Sequence, residues 1–294
     1  MDRTRIVVGY DGSGESQRAV DWAADEAART GATLQIVHTY QIGWPAGSYY
    51  RPTAEESGAA RGRAEQLAAD AVAAVRARGT GVDAVATVVH AAPAATLLDL
   101  GHSGARLLVV GSRGTGGITG LLTGSVSQQV ATHARVPVVV VRGHAAAGGP
   151  VVAGVDGSPA TSTALGLAFD AAAAAGARLV AVRAYVPPAP SVLPLSAVEA
   201  DERTALEASL VGWPSKYPSV TLEARLVAGR AAKVLIGLSH TARLVVVGSR
   251  GHGGFTGLLL GSVGQQLVQH AECPVLIAHP NRASTLGTGD AFRL

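Results

Sequence analysis

Short runs of consecutive apolar residues alternate along the chain with longer amphipathic stretches. The segments "RLLVVG" at 106–111 and "VPVVVVR" at 136–142 are apolar at successive positions, as is typical of strands covered on both faces of a sheet. In the first half, the pattern predicts strands at about 5–10, 33–39, 82–89, 106–111 and 136–142, and helices at about 15–30, 55–78, 93–103 and 124–134.

The second half repeats this order between "VVAGVD" at 151–156 and "CPVLIAH" at 273–279. Regular alternation of strands and helices favours a parallel sheet, because each connection crosses back over the sheet as a helix. We therefore predict an α/β fold with two tandem domains. Each domain is expected to be a five-stranded parallel sheet with helices on both faces.

Two motifs of the first half recur in the second. "IVVGYDGS" at 6–13 returns as "VVAGVDGS" at 151–158, and "GSRGTGGITGLLTGS" at 111–125 returns at 248–262 with changes at only three of fifteen positions. Such repetition indicates a duplicated domain. We predict a first domain at 1–142, a linker at 143–150, a second domain at 151–280 and a C-terminal tail at 281–294.

Composition narrows the class of protein. The chain has 294 residues, of which 48% are hydrophobic and 15% charged, which suits two folded cores. The net charge of +3 comes from scattered cations and indicates no nucleic-acid partner. Cys273 is the only cysteine. No apolar stretch is as long as that of a signal peptide or a membrane span. We expect a cytoplasmic protein with no intrachain disulfide and no membrane partner.

The two repeated motifs are predicted to meet in space. In a doubly wound parallel sheet the first and fourth strands lie side by side, and ligands bind beyond their carboxyl ends. Asp11 follows the first strand and Gly111 ends the fourth; Asp156 and Gly248 are their counterparts in the second copy. Each copy is therefore expected to carry its own ligand crevice.

The glycines of the longer motif fit a phosphate-binding loop. We expect positions such as Gly114 and Gly251 to adopt positive φ and to let phosphate oxygens approach the backbone N–H groups. The pairs Gly124-Ser125 and Gly261-Ser262 precede predicted helices, whose N-termini favour anions. A carboxylate at the neighbouring strand end can accept hydrogen bonds from ribose hydroxyls. Together these features predict a nucleotide.

The spacing glycine, two residues, glycine, nine residues, Gly-Ser occurs from Gly111 and again from Gly248, and it resembles the ATP-binding universal stress protein family. The resemblance covers almost the whole chain as two tandem domains. It implies Rossmann-like domains of the adenine nucleotide alpha hydrolase-like kind. It also implies a stress-response protein that binds ATP, with or without Mg²⁺, and hydrolyses it slowly at most.

By this resemblance, Asp11 and Asp156 meet the ribose, the glycine loops hold the phosphates, and Thr39 and Ala184 lie near the base. The candidate binding residues of the first copy are Gly9, Asp11, Thr39, Gly111, Ser112, Arg113, Gly114, Thr115, Gly116, Gly117, Gly124, Ser125 and Val126. Those of the second copy are Gly154, Asp156, Ala184, Gly248, Ser249, Arg250, Gly251, His252, Gly253, Gly254, Gly261, Ser262 and Val263. We predict two adenine nucleotides per chain.

Each assignment has a structural alternative. The glycine loops can be turns without a ligand, and both aspartates precede Gly-Ser and can cap a turn or a helix. The loop arginines Arg113 and Arg250 can be solvated, and Ser125 and Ser262 can simply begin helices. The histidines show no metal-ligand spacing, so no metal site is predicted.

The sequence also lacks features of several enzymes. It has no Gly-Lys-Ser/Thr loop, no lysine in either glycine loop and no Gly-x-Ser-x-Gly elbow, so no catalytic residue is assigned. A regulatory protein that holds a nucleotide is favoured. The alternatives are a nucleotide hydrolase or adenylating enzyme on the same fold, although "YDGSGES" departs from the Ser-Gly-Gly-x-Asp-Ser loop of adenylating relatives, and a dimerisation module with empty loops.

The fifth strand of each copy, at 136–142 and 273–279, is apolar and would lie at a sheet edge. An uncovered edge exposes main-chain hydrogen-bonding groups, so pairing is expected. We predict that the two copies form a pseudo-symmetric pair and that chains associate further as a homodimer. The sequence does not identify a downstream protein partner.

Overall fold

The computed structural model describes residues 5–42, 53–115, 123–187, 194–251 and 260–279. The elements of the first copy follow the predicted order, with bounds that differ from the expected ones by a few residues at most. They are β1 (Arg5–Gly9), α1 (Gly14–Thr30), β2 (Thr33–Tyr40), α2 (Ala54–Ala77), β3 (Ala84–His90), α3 (Pro93–His102), β4 (Ala105–Gly111), α4 (Ser125–His133) and β5 (Val138–Val141).

The second copy repeats this order with one addition, the short helix α7, which the sequence pattern did not predict. Its elements are β6 (Val151–Gly154), α5 (Pro159–Ala175), β7 (Leu179–Tyr185), α6 (Leu195–Leu210), α7 (Trp213–Lys216), β8 (Leu222–Ala228), α8 (Ala231–Ser239), β9 (Leu244–Gly248), α9 (Ser262–His270) and β10 (Val275–Ala278). The rings of Trp213 in α7 and Phe169 in α5 stack with centroids 5.3 Å apart, so α7 packs on α5.

The two copies share one sheet of ten strands in the order β3-β2-β1-β4-β5-β10-β9-β6-β7-β8. Strands within each copy pair in parallel, as predicted. The expected pairing of the fifth strands is confirmed, because β5 and β10 pair antiparallel with Val139 opposite Leu276. This pairing covers both edges within one chain, so it removes the reason for expecting these strands to join separate chains.

Apolar side chains cover both faces of this sheet. Neighbouring residues of β1 point to opposite faces, with Ile6 and Val8 in one buried cluster and Val7 in the other. Each cluster contains residues of both copies; Phe169 belongs to the first and Leu267 to the second. The consecutive apolar residues seen in the sequence therefore follow from burial on two faces.

The strand order positions the two repeated motifs as predicted. β1 pairs with β4, with Val8 opposite Val109, and β6 pairs with β9, with Ala153 opposite Val246. The residues that follow each pair of strands therefore meet at the same end of the sheet. In the described part of the chain, no helix is both long and apolar enough to cross a membrane.

Candidate functional site

A cavity of about 420 Å³ lies beyond the carboxyl ends of β1, β2 and β4. Residues from both repeated motifs line it, together with residues from β2 and the starts of α3 and α4. The predicted residues among the lining are Gly9, Asp11, Thr39, Gly111, Arg113, Gly114, Thr115, Gly124, Ser125 and Val126. The lining residues that the sequence did not indicate are Tyr10, Ser16, Val37, Gln41, Pro93, Leu97, Val110 and Ser127.

Asp11 joins the end of β1 to the glycine loop after β4. Its Oδ2 accepts a hydrogen bond from the backbone N–H of Thr115 at 2.8 Å, and its Oδ1 accepts one from the N–H of Ser13 at 3.0 Å. Burial alone would raise the pKa of the Asp11 carboxyl, but hydrogen bonds from Ser13, Ser16 and Thr115 outweigh burial and lower it. The carboxylate is therefore ionised near neutral pH, and its remaining lone pairs can accept further hydrogen bonds.

Through its hydrogen bond from Ser13, Asp11 also caps a turn, which is one of the two structural roles that the sequence allowed for it. Asp11 is not the helix cap, however, because Ser13 is the N-cap of α1 and its side chain accepts from the N–H of Ser16. The bond to Thr115 spans 104 positions in sequence and has no part in that turn. Asp11 thus has a second structural function, which is to hold the glycine loop.

Gly114 is required by a close approach and not by its backbone conformation. A Cβ at this position would lie 2.3 Å from Oδ2 of Asp11, well inside van der Waals contact. The expected positive φ is wrong for Gly114 and for Gly251, since both lie outside the left-handed region. The glycine that does adopt positive φ follows the aspartate: it is Gly12 in the first copy and Gly157 in the second, with φ of 82° and 80°.

The second copy reproduces this arrangement around Asp156. Its Oδ1 accepts from the N–H of Ser158 at 2.9 Å and from the hydroxyl of Thr161 at 2.7 Å. A Cβ on Gly251 would lie 2.4 Å from Oδ2 of Asp156. The aspartate and the second glycine of the loop are therefore in direct contact in both copies.

Matching backbone hydrogen bonds fix the two glycine loops to the sheet. In the first copy, Ser112 donates its N–H to Val141 in β5 at 3.0 Å, and Gly124 donates to the carbonyl of Ser112 at 2.8 Å. In the second copy, Ser249 donates to Ala278 at 2.9 Å and Gly261 donates to Ser249 at 2.8 Å. The two ends of each loop are thereby held together at the end of the sheet.

The side chain of the candidate binding residue Ser112 has a partner within the protein. Its side chain is buried, and its hydroxyl donates to the Glu15 carboxylate at 3.1 Å. It is not among the described residues that line the cavity. Ser249 is likewise buried.

The start of α4 faces the cavity through Ser125, Val126 and Ser127. In the described part of the chain, no side chain caps the N–H groups of its first turn, because the N-cap is Gly124. The N-cap of α9 is also a glycine, Gly261, and no described side chain caps the first turn of this helix. Free N–H groups and the helix dipole favour an anion here, and Arg113 adds a positive charge to the cavity wall.

Thr39 lines the cavity on the side of β2. Register pairs Gly9 with Val37 and Gly154 with Val182, so Ala184 is the counterpart of Thr39 in the second copy. Successive inward positions of a strand are two residues apart, so the neighbours Val37 and Gln41 could have been found from Thr39. The candidate residues Gly116, Gly117, His252, Gly253 and Gly254 lie outside the described residues.

Comparison with known proteins identifies the family. The model of the universal stress protein family matches residues 2–142 and 149–279. A universal stress protein of Mycolicibacterium smegmatis is 38% identical over 285 residues, covering 94% of this chain and 97% of the relative. One from Mycobacterium tuberculosis H37Rv is 35% identical over 288 residues, covering 93% and 96%. The chain therefore belongs to the universal stress protein family, with two tandem copies of the family domain.

A solved structure agrees with this fold. The crystal structure of a universal stress protein from Archaeoglobus fulgidus superposes with a TM-score of 0.71, covering 95% of this chain and 99% of that one at 17% sequence identity. The match extends over both copies, so the tandem α/β architecture is shared.

Proposed function

We propose that this protein is a nucleotide-binding regulatory protein that holds ATP in each of its two copies and hydrolyses it slowly at most. One observation carries the proposal: Asp11, the glycine loop and the uncapped start of α4 surround a single cavity of about 420 Å³. That volume is within the range of about 300–1,000 Å³ that is usual for small-molecule sites.

The phosphate end of the ligand is assigned to the glycine loop and α4. The first-turn N–H groups of α4 and the guanidinium of Arg113 supply positive potential on this side of the cavity. In the described residues, no group of three or more His, Cys, Asp or Glu side chains could hold a metal. A Mg²⁺ ion would therefore enter with the phosphates, which are its usual ligands together with water.

The ribose is assigned to Asp11. Its carboxylate keeps acceptor capacity beyond the two backbone N–H groups that it already binds. Sugar hydroxyls are donors that such a carboxylate recognises at the end of a strand. The base then falls on the side of β2, near Thr39.

The residues of the glycine loops favour binding over phosphoryl transfer. Neither glycine loop contains a lysine, the residue that P-loop enzymes use to stabilise a transferring phosphoryl group. A protein that holds ATP without rapid turnover can report its nucleotide state to a partner, and this is the regulatory role we propose for a cytoplasmic stress-response protein.

The nucleotide content of the purified full-length chain tests the proposal. Heat-released nucleotide is separated by chromatography, and the protein is then incubated with ATP to measure turnover. Bound ATP that stays intact supports the proposal. Rapid conversion of ATP supports the hydrolase, and the absence of both bound nucleotide and ATP affinity supports a dimerisation module. The double variant Gly114→Val with Gly251→Val is the matched control and should carry no nucleotide.

We also propose that the two domains span residues 1–142 and 151–280.

We propose further that two chains associate as a homodimer. Because β5 and β10 cover each other, the outer strands β3 and β8 remain at the ends of the sheet. β8 carries Glu223 and Arg225, which form an ion pair, whereas β3 has no acidic or basic residue except its final His90, and Val85 is 43% exposed. Charged residues discourage edge pairing, so β3 is the edge that favours a second copy. A strict monomer at micromolar concentration in sedimentation would contradict the homodimer.

A further inference from the structure

Alternate residues of β2 and its extension line one side of the cavity. Val37, Thr39 and Gln41 face it, and the strand order places β2 on the opposite side of β1 from β4. The cavity therefore runs from the start of α4, past Asp11, to Gln41. A nucleotide with its phosphates at α4 has its base at the Gln41 end, because base and phosphates lie on opposite sides of the ribose.

The second copy has different chemistry at this end. Register pairs Gly9 with Val37 and Gly154 with Val182, which makes Val186 the counterpart of Gln41. Val186 is 66% exposed, and its side chain has no hydrogen-bonding atom. With Ala184 in place of Thr39, both polar side chains of the first copy are replaced by apolar ones.

We infer that Gln41 makes the first copy selective for adenine over guanine and that the second copy, with Val186, lacks this selectivity. The inference rests on the proposed function. In a bidentate contact, an amide N–H donates to the ring nitrogen N7 of adenine, and the amide oxygen accepts from the adenine amino group. Guanine presents two acceptors, O6 and N7, along the corresponding edge, so the amide oxygen of Gln41 would face an acceptor. A bidentate contact of this kind discriminates between bases by about 5- to 150-fold.

Calorimetric titration with ATP and with GTP, one site at a time, tests the inference on the full chain. The Gly251→Val chain reports the first site, and the Gly114→Val chain reports the second. We expect a larger ratio of GTP Kd to ATP Kd at the first site. Adding Gln41→Val to the Gly251→Val chain should reduce the ratio of the first site to the value of the second. Adding Val186→Gln to the Gly114→Val chain should raise the ratio of the second site. The matched control is Gln66→Val, which removes an exposed glutamine bonded to Asp70 on α2 and should leave both ratios unchanged.

An unchanged ratio in the Gln41→Val chain, with ATP still bound, would overturn the inference and leave the proposed function intact. Absence of ATP binding in the wild type would overturn both. Thermal unfolding checks that each glycine variant folds. If a glycine variant does not fold, Gln41→Val in the otherwise wild-type chain still tests the inference. Its first site should lose the discrimination between ATP and GTP, and its second site should stay unchanged.

Discussion

Oδ2 of Asp11 lies 2.3 Å from the position that a Cβ on Gly114 would occupy. The equivalent distance between Asp156 and Gly251 is 2.4 Å. With the aspartate in this place, the second glycine of the loop has no room for a side chain, even before a ligand is considered. The same contact is present in both copies.

The contact predicts the effect of a single methyl group. In Gly114→Ala the Asp11 side chain must move and give up its hydrogen bond from Thr115, which should lower the free energy of unfolding by about 1–3 kcal/mol. Urea denaturation measures the change. Gly62→Ala is the matched control, because Gly62 lies within α2 with nothing within 4 Å of its added Cβ, and alanine favours a helix. Equal stability of the two variants would contradict the contact.

A second prediction concerns the ribose. Asp11→Asn keeps the size of the side chain but removes its charge, so ATP binding to the first site should weaken by about 1.5–3 kcal/mol if ribose hydroxyls donate to Asp11. The loss should be much smaller for 2′,3′-dideoxy-ATP, which lacks those donors. Calorimetry with both ligands measures the difference. Equal losses would show that Asp11 acts only through the loop, and Asp156→Asn provides the same test in the second copy.

The stability of the protein should depend on pH because of a residue that follows a fifth strand. Arg142 donates to the carbonyl of Val268 in α9, and the buried His279 donates from Nε2 to the carbonyl of Ala131 in α4 at 3.1 Å. Each residue thus contacts a helix of the other copy. Burial, together with the charge of Arg250, lowers the pKa of His279 to about 4 despite the hydrogen bond to Ala131.

Because the folded-state pKa of His279 is below its ordinary value of 6.5, the unfolded chain binds the proton more readily. The contribution of His279 to stability is complete above about pH 6.5 and is lost as the pH falls towards 4. Relative to His279→Gln, the wild type should lose about 2 kcal/mol of unfolding free energy between pH 7 and pH 5. Urea denaturation at both values measures this loss. An equal loss of unfolding free energy in His279→Gln would contradict this origin of the pH dependence.

The sequence predicted the features that depend on repetition and strand order. Apolar runs such as 106–111 identified buried strands, and the doubly wound order then brought Asp11 and Gly111 to the same cavity. The pairing of β5 with β10 followed from the need to cover apolar edges. These features depend on backbone topology, which hydrophobic patterning strongly constrains.

Features that depend on side-chain geometry were not predicted. The sequence could not show that Ser112 donates to Glu15 beneath the loop, or that Gly114 is needed to accommodate Asp11 and not for a positive φ. Each of these depends on contacts between segments that are distant in sequence, and such contacts leave no periodic signal.

Each copy should form its own nucleotide site, and the stoichiometry of ATP binding to the 294-residue chain is the most direct test. Calorimetric titration should give two ATP per chain, falling to one in Gly114→Val and to one in Gly251→Val, since each substitution forces a β-branched side chain against the aspartate of its own copy. Full binding of two ATP in both variants would remove the glycine loops from the sites, and no ATP binding to the wild-type chain would contradict the account as a whole.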